Sequence, residues 1–113
     1  MSDLKSFYEE QLELLAAKNG AALVEAHYAD DAEMIVISGE EPIIKKGKAE
    51  LIQLFDYYLT NVYRGFISTE KFAATDDSLM FEATINSVNG PLKIYDCMYL
   101  ENGKITLHFS GVK

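Results

Sequence analysis

The chain has little of what marks several protein classes. It carries one cysteine, Cys97, among 113 residues. No disulfide can form within it, which points to a reducing compartment, the cytoplasm. No apolar run approaches the roughly 18 residues that a membrane span requires. The opening MSDLKSFYEEQLELL has acidic residues where a secretory signal needs a basic head and an unbroken apolar stretch. Basic charge is scarce: ten Lys and Arg stand against eighteen Asp and Glu, a formal net charge of −8. That field repels phosphate backbones and anionic lipids, so neither nucleic acid nor a membrane is an expected partner. The two histidines have no His-x-His or Glu-x-x-His spacing. No metal site is therefore expected, although Asp96, Glu82 and His108 have the chemistry to assemble one. No glycine-rich phosphate loop and no nucleophile elbow is present, so no cofactor is expected and Ser110 is not read as a nucleophile.

What is present suits one domain over residues 1–113. Its hydrophobic content of 49% is that of an ordinary globular protein with one core and room for a small cavity. Leu4, Phe7, Tyr8, Leu12 and Leu15 recur at helical spacing. Ser2 or Asp3 can cap that helix, and Asn19-Gly20 reads as its left-handed stop. A second helix over Ala21 to about Ala29 groups Leu23, Val24, His27 and Tyr28, and Asp30-Asp31 ends it. EMIVISG reads as a strand and EEPIIKKG as a turn with a short return strand, whose Pro42 suggests a sheet edge. A third helix, Lys48 to Leu59, buries Leu51, Ile52, Phe55, Tyr58 and Leu59. Four strand-length runs follow, separated by DDS, NGP and ENGK, all turn chemistry. Such short connections pair neighbouring strands antiparallel. The fold class is α+β: helices first, then an antiparallel sheet.

Strand alternation sets apart an even-numbered set (Met80, Glu82, Thr84; Ile94, Asp96, Met98; Thr106, His108, Ser110) and an odd set (Phe81, Ala83; Tyr95, Cys97, Tyr99; Leu107, Phe109). Two registers are open. If Glu101-Asn102-Gly103 is a three-residue loop with a bulge, the parities of the last two strands match. If Asn102-Gly103 is a two-residue turn, Asp96 sits beside Phe109. Asp96 is flanked on its own face by Ile94 and Met98, a setting foreign to a solvated strand. Both sheet faces are therefore expected to be covered, the even one by helices around a cavity and the odd one by a second subunit.

HYADDAEMIV, GKAELIQLF and IYDCMYLENGKITLHF, in that order, resemble the cone-shaped nuclear transport factor two superfamily. The SnoaL-like polyketide cyclase and ketosteroid isomerase branches are nearest in pattern. The resemblance implies helices on a strongly curved sheet, a cone-shaped barrel with a central pocket. It also favours the matched register, with Asp96, His108 and Ser110 facing the pocket. Val36, Phe55, Met80, Glu82, Thr84 and Met98 would line it as well. The outer face, with Tyr95, Tyr99, Leu107 and Phe109, would make a homodimer. Carried over residue by residue, Asp96 matches the protonated aspartate that ketosteroid isomerases use as an oxyanion donor. Their general base would fall at about Val36 and their helix-one tyrosine at about Leu12, neither of which can act, so steroid isomerisation is disfavoured. His108 matches a histidine of SnoaL-like cyclases, but Ser110 stands where those place an acid.

Asp96 and His108 are thus the candidate catalytic pair: an acid in apolar surroundings and a histidine able to act as a base oriented by it. Each has a plainer reading, as a structural hydrogen-bonding aspartate and as a polar wall residue. Glu82 reads as a second pocket carboxylate or an exposed acid, His27 as a satisfied core histidine, and Cys97 as a small buried residue. Two functions stay open. One is acid–base catalysis (isomerase, cyclase or dehydratase-like) on a small apolar substrate. The other is a non-catalytic dimeric module that binds a small apolar molecule.

Overall fold

Three helices precede or interrupt six strands in the computed structural model, which describes residues 4–113. The helices are α1 (Leu4–Ala16), α2 (Gly20–His27) and α3 (Lys48–Asn61). The strands are β1 (Tyr28–Ile37), β2 (Ile43–Lys46), β3 (Tyr63–Ala74), β4 (Ser78–Ser87), β5 (Gly90–Glu101) and β6 (Lys104–Val112). They form one sheet in the order β2-β1-β6-β5-β4-β3, curled but not closed. Every neighbouring pair is antiparallel except β1 with β6, which run parallel, so the sheet is mixed where an antiparallel one was expected. Short β2 does sit at an edge. Register shifts along β3 at three places bend the strand and deepen the curl. Leu23, Val24, Leu51 and Ile105 seal the core between the helices and the concave face.

The helix junctions differ from the sequence reading. The Ser2 or Asp3 cap of α1 lies outside the described residues. Asn19 does not stop α1. Lys18 takes the left-handed conformation (φ 56°) and Asn19 caps α2, its side chain accepting from the Ala22 amide at 3.0 Å. Gly20 then opens α2 because α3 passes close by: a Cβ there would lie 2.5 Å from Asp56 Oδ1. Tyr28, expected at the end of α2, is extended (φ −112°) and begins β1. Asp30-Asp31 sit inside β1, where pairing with β6 slips between Tyr28 and Glu33.

Two turns fix which side chains face the helices. Ser87 pairs with Gly90, leaving a two-residue loop, Val88-Asn89. Partner numbers across β4 and β5 therefore have opposite parity: Phe81 opposes Asp96, and Met80 opposes Cys97. At the next hairpin Asn102 (φ 52°) and Gly103 (φ 78°) form the two-residue turn that positive φ at both positions favours, with Glu101 opposite Lys104. A bulge then restores parity, since Leu100 pairs with Ile105 but Tyr99 pairs with Leu107. Neither anticipated register is the observed one. The tight turn is present, and Asp96 nonetheless lies opposite Ser110 and not Phe109.

Candidate functional site

The concave face and the helices enclose a cavity of about 270 Å³. Its walls are mostly apolar: Leu12 and Leu15 from α1, Phe55 and Tyr58 from α3, Ile85 and Met98 from the sheet. Polar side chains gather on one wall, where β5 and β6 place Asp96 directly across from Ser110 and two pairs along, on the same face, from His108. Asp96 is 6% exposed and His108 3%.

The order of bonds at this wall decides what each group can do. His108 Nε2 meets Asp96 Oδ1 at 2.6 Å, and His108 Nδ1 meets the Tyr28 hydroxyl at 2.8 Å. Gln11 Nε2 donates to the same hydroxyl at 3.3 Å. Burial, with Asp96 nearby, pushes the Tyr28 phenol far above its ordinary range, so it keeps its hydrogen. With Gln11 donating to its oxygen, Tyr28 directs that hydrogen to His108 Nδ1. His108 is then the Nε2–H tautomer and donates to the Asp96 carboxylate. Both imidazole nitrogens are engaged, so His108 has no free nitrogen for a ligand. Asp96 does have a free atom. Its Oδ1 takes the imidazole, and no sealed side-chain N or O among the described residues lacks a partner. Oδ2 therefore opens on the cavity that Asp96 lines. The carboxyl thus faces the cavity, and the histidine, bonded at both nitrogens, holds it in place.

The bond network continues away from the cavity. Gln11 Oε1 contacts His27 Nδ1 at 2.6 Å, and His27 Nε2 contacts Glu10 Oε1 at 2.7 Å, where Glu10 is largely exposed. Phe7 stacks on the His27 ring with centroids 3.9 Å apart. Burial holds the His27 imidazole below its usual range, more than the contact with Glu10 restores. The described residues hold no cluster of His, Cys, Asp and Glu suited to a metal ion.

Comparison with known proteins adds the fold. No family model matches the chain, and no curated protein matches it in sequence. Solved structures do match. One is a protein of unknown function from Burkholderia pseudomallei K96243, called NTF2-like: 19% identical, TM-score 0.80, covering 100% of this chain and 92% of that one. Another, from Mesorhizobium loti, bears the same description, with 16% identity, TM-score 0.80, and 96% and 89% coverage. A third, also from Mesorhizobium loti, is named a candidate SnoaL-like polyketide cyclase [carbohydrate phosphatase], with 21% identity, TM-score 0.68, and 96% and 98% coverage. The fold is NTF2-like. Identities this low carry the fold and nothing of the chemistry.

On this NTF2-like scaffold Val36, Phe55, Met98 and Ser110 line the cavity together with Asp96 and His108. Met80, Glu82 and Thr84 do not. The parity change at Val88-Asn89 turns them outward, leaving Met80 52% exposed and tying Glu82 to Lys113 and Thr84 to Glu70 on the outer face. Their places on the concave face go to Leu79, Phe81 and Ala83. Cys97 is half-buried on the outer face between Met80 and Phe109. Sequence reasoning missed Tyr28 and Gln11. A signal for Gln11 existed, since it falls in the buried stripe Leu4–Tyr8–Gln11, where a polar residue needs a partner.

Proposed function

We propose that the protein binds a small, mostly apolar molecule in the concave cavity and that Asp96 exchanges a proton with its polar end. One observation carries this reading: a carboxyl with one oxygen fixed by a buried histidine and the other open to an apolar cavity. His108 and Tyr28 position that carboxyl, and His108 meets the cavity only as part of its wall, with both ring nitrogens already engaged. Among the described residues the cavity holds one carboxylate, and Val36 and Ser110 stand at the other positions where the resemblance places an acid or base. A single acid–base group suits proton transfer next to a carbonyl, in which one carboxyl removes a proton and, after exchange with solvent, returns one. The test is solvent exchange. In D2O the wild type is expected to accelerate deuterium uptake beside the carbonyl of small cyclic enones, followed by mass spectrometry. Asp96→Asn should lose that acceleration by about 100-fold or more and still bind. Thermal stabilisation by the same compounds without any exchange would favour the binding-only reading. Tight exclusion of every such compound would reject both.

The outer face is proposed to pair with a second copy, as the resemblance implies. A groove of about 300 Å³ there is lined by Met80, Cys97, Tyr99, Leu107 and Phe109. Phe109 is 37% exposed and Tyr99 42%, both large for a monomer's solvated strand. Tyr95 lies over Gly111 beside them. Sedimentation should show a dimer in the wild type and a monomer after Leu107→Glu or Phe109→Glu. A dimer that survives both substitutions would move the interface elsewhere.

A further inference from the structure

The chain of side chains behind the cavity can be counted. Five hydrogen bonds join six groups in a line: Glu10–His27, His27–Gln11, Gln11–Tyr28, Tyr28–His108 and His108–Asp96. Each bond needs one hydrogen. A carboxylate at either end supplies none, and each neutral imidazole and the phenol supply one. Gln11 supplies one, because its oxygen serves the other contact. That makes about four hydrogens for five bonds by the ordinary inventory of donors. We infer that the network holds one excess proton, shared between the surface pair Glu10–His27 and the cavity pair Asp96–His108, with the Gln11 amide setting which end has it.

With Gln11 Oε1 toward His27 and Nε2 toward Tyr28, both His27 nitrogens face acceptors, so the proton sits on His27 and Asp96 is a carboxylate. Turning the amide over reverses every bond between His27 and Asp96. His27 becomes neutral, donating to Glu10, and the excess proton moves to the Asp96–His108 pair. The two arrangements hold the same number of protons and differ in where the negative charge lies. The groups facing His27 are Glu10 from α1, which favours its charge, and Lys104 from β6, which opposes it; burial outweighs Glu10 and lowers the imidazole, so the cavity end competes with His27 for the proton. Around Asp96 the titratable neighbours are Tyr8, Tyr28, Tyr58 and Cys97, all of which feel its charge. Gln11, His27 and Glu10 are therefore positioning residues. They let Asp96 change between base and acid without water entering the cavity. That use rests on the acid–base reading of Asp96, whereas the hydrogen count does not.

The test is imidazole nitrogen NMR with carboxyl carbon shifts, on the whole chain and without ligand. At neutral pH the wild type should show one excess proton, either as an imidazolium or as a protonated Asp96 or Glu10. Glu10→Gln changes an exposed residue and supplies the missing hydrogen from its own amide. Its spectrum should show two neutral imidazoles, with His108 as the Nε2–H form. The midpoint for losing the excess proton should fall by about one to two pH units, the value of a hydrogen bond to a charged group. Gln11→Met cuts the line into two segments, each with enough hydrogens, and should give the same fall. Two neutral imidazoles with both carboxyls ionised in the wild type would overturn the inference, as would an unmoved midpoint in Glu10→Gln. Loss of deuterium exchange with the count intact would overturn only the acid–base reading.

Discussion

Replacing His108 with leucine is expected to lower folding stability by about 3–5 kcal/mol at neutral pH, the usual result of removing one partner of a buried charged pair. Leucine fills much of the imidazole's volume, so the loss is not mainly a cavity. It comes from Asp96, whose Oδ1 loses its 2.6 Å donor and is left ionised against an apolar wall. Tyr28 suffers less because Gln11 still reaches its hydroxyl. The deficit should shrink as the pH falls, since a protonated Asp96 no longer carries a buried unpaired charge. Urea denaturation at several pH values measures both effects. The double variant Asp96→Leu with His108→Leu should recover most of the loss, because an apolar pair tolerates this site better than a lone carboxylate. A single-variant loss below about 1 kcal/mol, the scale of an exposed pair, would mean that the wall is wetter than the 3% exposure of His108 indicates.

Alkaline unfolding should be equally pronounced. Burial raises the phenols of Tyr28 and Tyr58 well above their ordinary range, with the Asp96 charge adding to both. In the unfolded chain the same phenols ionise near pH 10. Their contribution is therefore fully present below pH 10 and is lost progressively above it, as the unfolded state gives up protons that the folded state keeps. Two groups held un-ionised two pH units above that point together cost about 5 kcal/mol, a large share of a small domain's stability. The transition, followed by circular dichroism, should steepen above pH 10. Tyr58→Phe should lessen that steepening, since phenylalanine keeps the packing and removes one titrating group. A stability curve flat to pH 12 would show these rings open to solvent in the folded state.

The element order was legible because it rests on local signals. Apolar spacing changes from helical to alternating after Leu59, and turn residues divide the strands. Asp96 was legible for the same reason: a charge inside IYDCMYL conflicts with its neighbours. The outward turn of Met80, Glu82 and Thr84 was not. It depends on whether NGP closes over two residues or three, and one residue reverses a whole strand. The bulge opposite Tyr99-Leu100, which leaves Thr106 out of the pairing, left even less trace, since no turn residue marks it. Tyr28 was hidden by propensity. Its neighbours read as helix, and only the docking of β1 beside β6 draws it into extended backbone facing His108.

β6 lies between β1 and β5, although every other strand precedes it in the chain. Until it is made, the sheet is in two pieces that share no strand pairing: β1 with β2, and the β3–β4–β5 meander. The hydroxyl of Tyr28 waits for an imidazole 80 positions downstream. During translation the cavity wall is the last part to close, and a ribosome stalled near Asn102 would display two half-sheets, each with a bare edge open to aggregation.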